Sequence, residues 1–135
     1  MANGQLITSQ GRLIALNRTF KETPDYKAPE QFKVGTGSTT PAITDTDLVT
    51  AVVIAGGLYV KDIAATYPSF DETNFQVTNR CILLTTDANG NNLTEFGLFN
   101  KDGTPKCFSR MVFPAIAKTT SVSVVFIEKD KVVIN

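Results

Sequence analysis

Acid–base chemistry needs a carboxyl and a second titratable group in one cleft, and the residues that invite this reading are Glu95, Asp102 and Lys118. Their order along the chain does not gather them. Glu95 falls in an apolar run, Asp102 in a turn beyond it and Lys118 in a later segment, so exposed or hairpin-stabilising positions are expected for all three. Histidine is absent. That removes Ser-His-Asp and Cys-His machinery, imidazole metal ligation and side-chain proton transfer tuned to neutral pH. Cys81 and Cys107 are too few for a thiolate metal cage and too far apart for a Cys-x-x-Cys redox pair. They are expected to be buried thiols acting as small hydrophobes; the alternative is a disulfide between strands.

Other spacings resemble ligand sites and then depart from them. Gly35-Thr36-Gly37 has the look of a phosphate-cradling loop, which needs Gly-x-Gly-x-x-Gly or a Gly-Lys-Ser/Thr ending before a helix. Here Ser38-Thr39-Thr40-Pro41 follows, so the glycines are expected to serve a tight loop. Asp87, Asn89 and Asn91 are spaced like the start of a calcium loop, but its sixth position is Asn92 and its twelfth is Leu98, where glycine and glutamate are needed. A surface turn is expected instead. Phe96, Leu98 and Phe99 would make a ligand platform if exposed; at strand spacing they are expected to fill a core. No metal or cofactor is expected, and no enzyme activity.

The elements that must position these residues follow from composition and pattern. A chain of 135 residues fits one domain, residues 1–135, able to bury roughly two-thirds of its unfolded surface. Lys and Arg number 13 and Asp and Glu 13, giving zero formal charge. That balance argues against nucleic acid, whose partners are strongly basic, and against charge-driven membrane binding. Weak self-repulsion suits a protein that packs against other subunits. The opening residues lack the form of a signal peptide, and no apolar run is long enough to span a bilayer. Synthesis in the cytoplasm with reduced thiols is expected.

The pattern predicts a mainly β fold: an antiparallel β-sandwich or flattened barrel with a short N-terminal helix. Apolar residues at 6, 7, 13, 14, 16 and 20 are nearer helical than alternating spacing. Ser9 is the expected cap, with Leu13, Ile14 and Leu16 as the apolar stripe. Residues 1–31 then form helix and extended loop, and 32–135 the sandwich. Strands are expected at 31–34, 52–55, 59–67, 74–86, 93–99, 105–113, 121–128 and 132–134. Asn100-Lys101-Asp102-Gly103 reads as a hairpin turn with an Asp-Gly signal. Lys129 and Asp130 read as another turn. Residues 21–30, with Thr23, Pro24 and Pro29, and 35–45, with Gly35, Gly37 and Pro41, read as long loops.

The run Glu95-Phe96-Gly97-Leu98-Phe99, the turn Asn100-Lys101-Asp102-Gly103 and the later Phe113-Pro114 and Lys118 resemble the phage tail-collar fibre family and related tail and baseplate proteins. Upstream, Val34-Gly35-Thr36-Gly37, Pro41 and Thr46-Asp47-Leu48 follow the order of that family. The resemblance implies a small β-domain that docks a fibre or collar component onto the particle. No shaft or receptor-binding tip follows the domain, so a tail, collar or baseplate adaptor or tail-surface subunit is expected.

The expected partners are copies of the chain in a symmetric assembly and other phage tail or neck proteins, with no nucleic acid and no membrane. The expected location is the virion. Edge strands, the N-terminal segment and the two long loops are expected to make the contacts, the loops because loops of that length in a small domain are usually functional or disordered. The alternative is a carbohydrate-binding host-attachment module, with Tyr59 or Tyr67 beside Asp71 as the sugar site.

Overall fold

A computed structural model describes residues 5–131. Two antiparallel sheets pack face to face as a β-sandwich, and the sheets do not close into a barrel. Chain order gives β1 (Leu6–Ile7), α1 (Ser9–Phe20), β2 (Gln31–Gly35), β3 (Lys61–Asp62), β4 (Ser69–Asp71), β5 (Gln76–Leu83), β6 (Asn91–Phe99), β7 (Cys107–Lys118) and β8 (Val124–Lys131). The larger sheet runs β1-β7-β6-β2-β3 and the smaller β4-β5-β8.

Alternation in β2 and β6 builds the core. Phe32 stands opposite Leu98 and Val34 opposite Phe96, so all four point to one face. Across the gap, Cys81 and Leu83 of β5 and Phe126 of β8 meet them. The Phe96 and Phe126 rings stack with centroids 4.6 Å apart, a contact worth about 0.5–1.5 kcal/mol beyond simple burial.

The expected strands hold at β2, β5, β6 and β8 and fail where burial comes without ladder pairing. Ile54 is buried, yet 52–55 is irregular: Val52 donates its N–H to Val34 O, and Gly56 and Gly57 turn the chain with positive φ. Of 59–67, only Lys61 and Asp62 pair. Lys129 and Asp130 do not turn; β8 runs through them, opposite Thr78 and Val77. Their polarity reflects position, because Lys129 points to solvent while Asp130 shares the inner face. The expected strand at 132–134 lies outside the described residues.

Strand β7 also outruns its prediction, continuing through Pro114 to Lys118. Proline is tolerated because the ladder is already broken there. Leu93 pairs Ile116 and Glu95 pairs Val112, so Thr94 alone faces Phe113, Pro114 and Ala115. A missing N–H costs little in such an irregularity.

At the N-terminus the apolar spacing divides in two. Leu6 and Ile7 pair with Arg110 and Ser109, and the helix follows. Thr8, not Ser9, caps it: its Oγ1 accepts from Gly11 N at 3.0 Å and donates to Cys107 O at 2.6 Å. The helix presses its backbone on β7, for a Cβ on Gly11 would sit 2.1 Å from Phe108 O. The stripe predicted to be buried is mostly outside. Ile14 is buried, while Leu13, Leu16 and Phe20 are 48%, 60% and 79% exposed.

Candidate functional site

The motif strand β6 is covered on both faces. Phe96 and Leu98 enter the inter-sheet core as expected. Glu95, Gly97 and Phe99 point the other way, beneath the loop 36–50. Phe99 packs with Leu48 and Cys107. Gly97 is bare because nothing larger fits: a Cβ would lie 2.8 Å from Phe99 Cε1 and 2.9 Å from Leu48 Cδ2.

Glu95 is the centre of this layer and is fully buried, against the expectation of an exposed position. Its Oε1 accepts from the backbone N–H of Gly37 at 3.1 Å and of Thr50 at 2.7 Å. Its Oε2 accepts from Val49 N at 3.0 Å and from Arg110 Nε at 3.0 Å. Arg110, also fully buried, spans to Asp45 through Nη1 at 3.1 Å. Asp45 Oδ2 accepts in turn from Ala42 N. One buried ion pair therefore fastens both ends of the 36–50 loop to the sheet. Stranding either charge of such a pair costs about 3–5 kcal/mol.

The same geometry explains Gly35 and Gly37. Neither has positive φ, so the expected conformational role gives way to a spatial one. A Cβ on Gly35 would lie 2.3 Å from Thr50 O, and one on Gly37 would lie 2.6 Å from Val49 Cβ. Of the loop amides that a phosphate would need, Thr36 N donates to Thr50 O and Gly37 N to the Glu95 carboxylate.

The predicted hairpin at 100–103 is a longer connection, 100–106. Buried Asn100 organises it: Oδ1 accepts from Lys106 N at 2.8 Å, and Asn100 N donates to Lys106 O at 3.0 Å. Gly103 has neither positive φ nor any neighbour that a Cβ would meet, so Asp-Gly does not set the register. Asp102 instead accepts from Lys27 N at 3.0 Å and ties the 21–30 loop to the motif. Slight desolvation raises its pKa, but this N–H, the Asn100 side chain and nearby lysines outweigh it and hold the carboxyl below its ordinary value. Within the 21–30 loop Thr23 and Pro24 are exposed and Pro29 half-buried; Pro41, in the other loop, is half-buried too.

Lys118 is buried as well, contrary to expectation, with Nζ donating to Asn89 Oδ1 at 2.9 Å and to Thr119 O at 3.2 Å. This locks the end of β7 onto the 87–92 turn. Asp87 accepts from Leu84 N and from Lys61 Nζ, and Asn91 Nδ2 donates to Ala88 O. The calcium-like spacing is thus spent on internal bonds. Glu95, Asp102 and Lys118 belong to three separate networks and make no acid–base pair.

Cys81 and Cys107 are buried and unpaired. They lie in different clusters, Cys81 in the inter-sheet core and Cys107 on the far face of the larger sheet. Burial pushes the Cys107 thiol up to about 12, with Asp47 and Asp45 adding to it. Burial and Glu128 push Cys81 up further. Neither is a ready nucleophile, because the thiolate is the reactive form.

Asp71, the acid of the alternative sugar site, is exposed and bonded within its own turn, its Oδ1 accepting from Thr73 N and Asn74 N and its Oδ2 from Asn74 Nδ2. The surface feature that sequence reasoning placed wrongly is the helix. Leu13, Leu16 and Phe20, spaced three and seven residues from the first, share one helical face and turn it to solvent. Among known proteins, no family model, no curated protein and no solved structure matches this chain.

Proposed function

We propose that this protein is a structural subunit of a phage tail, collar or baseplate, and that it works by assembling with copies of itself and with neighbouring tail proteins in a symmetric ring or sleeve. The observation that carries the proposal is the exposed Leu13, Leu16 and Phe20 face of α1. Large apolar side chains grouped on one exposed face mark interaction surfaces. Two further points support it. The chain has no net charge to keep copies apart. The 36–50 and 21–30 loops are held by Glu95, Arg110 and Asp102, so they present defined surfaces. The resemblance of 94–103 to tail-collar and baseplate proteins supplies the biological setting.

The test is sedimentation of the purified protein beside a Leu16→Ser, Phe20→Ser double variant. Both side chains are exposed, so the variant is expected to melt within a few degrees of the wild type. The wild type is expected to form discrete oligomers and the variant to remain monomeric. Equal oligomerisation of the two proteins would remove the helix from the interface.

A further inference from the structure

A pocket of about 220 Å³ opens between β4 and β5 of the smaller sheet, Phe108 of β7 and the end of the 21–30 loop. Pro29, Pro68, Phe70, Val77 and Phe108 give it an almost wholly apolar inner surface. A cavity of roughly 150 Å³ with such a lining takes a benzene ring, so this one has room for a phenyl ring and its β-carbon. It is smaller than the ~300–1,000 Å³ of small-molecule sites. A polar group entering it would lose its bonds to water and gain none, so the occupant is apolar.

The same chain carries a matching side chain. Phe20, the last residue of α1, is 79% exposed, more than any other large apolar side chain among the described residues. Charge agrees with the match. Helix α1 carries Arg12 and Arg18 and no acidic residue. Glu30 in the pocket wall is exposed, and neither Arg12 nor Glu30 makes an ion pair among the described residues. Phe75 is exposed too, but it shares a turn with exposed Asp71 and Glu72, so its approach would set acids against Glu30. Phe70 is part of the pocket itself.

We infer that Phe20 of one copy inserts into this pocket of the next, with the Arg12 flank of the helix toward Glu30. The inserted ring and the pocket lie on different parts of the chain. The contact is therefore head-to-tail, and it repeats around a ring or along a filament. The inference rests on the assembly reading and names the surface that the helix face meets.

Two variants of the full chain split the contact. Phe20→Ser keeps the pocket and loses the ring, while Ala28→Phe keeps the ring and fills the pocket from its wall. Each alone is expected to sediment as a monomer, and an equimolar mixture to form a one-to-one complex and nothing larger. With the Phe20→Ser chain isotope-labelled, NMR shifts are expected at Val77 and Phe108. Adding Phe20→Ser to the Ala28→Phe chain is expected to weaken the complex roughly 10- to 100-fold, as for loss of one buried aromatic side chain. Val77→Phe fills the same pocket from β5 and takes the place of Ala28→Phe should that variant unfold. A mixture that forms no complex, a complex indifferent to Phe20, or shifts that spare the pocket would each overturn the inference. Oligomers dispersed by Leu16→Ser, Phe20→Ser but left intact by a folded pocket-filling variant would overturn it while leaving the assembly reading in place.

Discussion

At the residue scale, two buried positions give the sharpest expectations. Gly97 lies under the Phe99 ring and the Leu48 methyl, each within 3 Å of where a Cβ would be. Gly97→Val is expected to destabilise the fold by about 1–3 kcal/mol through overpacking. Thermal melting checks this, and an unchanged Tm would contradict the packing described. Glu128 gives a pH signature. Its burial, and the Asp130 carboxyl beside it, hold its pKa well above the ordinary 4.5, with Ser109 and Asn79 opposing. The folded state thus keeps a proton that the unfolded chain releases. Between about pH 5 and the raised pKa the folded state binds more protons, so stability falls as pH rises, by at most ~1.4 kcal/mol per unit. The groups facing Glu128 are Asp130 on its own strand, Asn79 on β5 and Ser109 on β7. Denaturant melts are expected to show greater stability at about pH 5 than at about pH 8, and a Glu128→Gln variant to flatten that difference. A wild type that is equally stable at both values would contradict a protonated Glu128.

At the element scale, the sequence shows its strands wherever side chains alternate and hides what depends on tertiary contact. Strands β2 and β6 carry apolar residues on the core face and are legible from pattern alone. The 52–55 segment is equally apolar and is not a strand, because Ile54 enters the core from an irregular turn. Lys129 and Asp130 resemble a turn in the sequence because charge at both positions suggests exposure, while Asp130 is half-buried in β8. The buried state of Glu95 and Lys118 was invisible for a similar reason: their partners Arg110 and Asn89 are identified only once the strands pair. The helix was legible in its existence and not in its orientation, since periodicity does not say which side of a stripe has a partner. At this scale the tie between Lys27 N and Asp102 anchors the 21–30 loop to the connection after β6. Asp102→Ala is expected to leave the sandwich folded while raising hydrogen exchange at Lys27 and its loop neighbours. Unchanged exchange there would show that the loop is held by other contacts.

At the scale of the whole molecule, a small sandwich covers its motif strand with one ordered loop, anchors a second loop to the adjoining connection and leaves the apolar side of its helix open. A chain with balanced charge can associate through such a surface without electrostatic penalty. One measurement tests this most directly: electron microscopy of native particles, or of oligomers formed by the purified chain, at a resolution that shows side chains. The result expected is a symmetric array in which Leu13, Leu16 and Phe20 are buried against a neighbouring subunit, within interfaces of more than ~1,000 Å². An array in which that helix face meets only solvent, or particles that contain no copy of this chain, would contradict the assembly role.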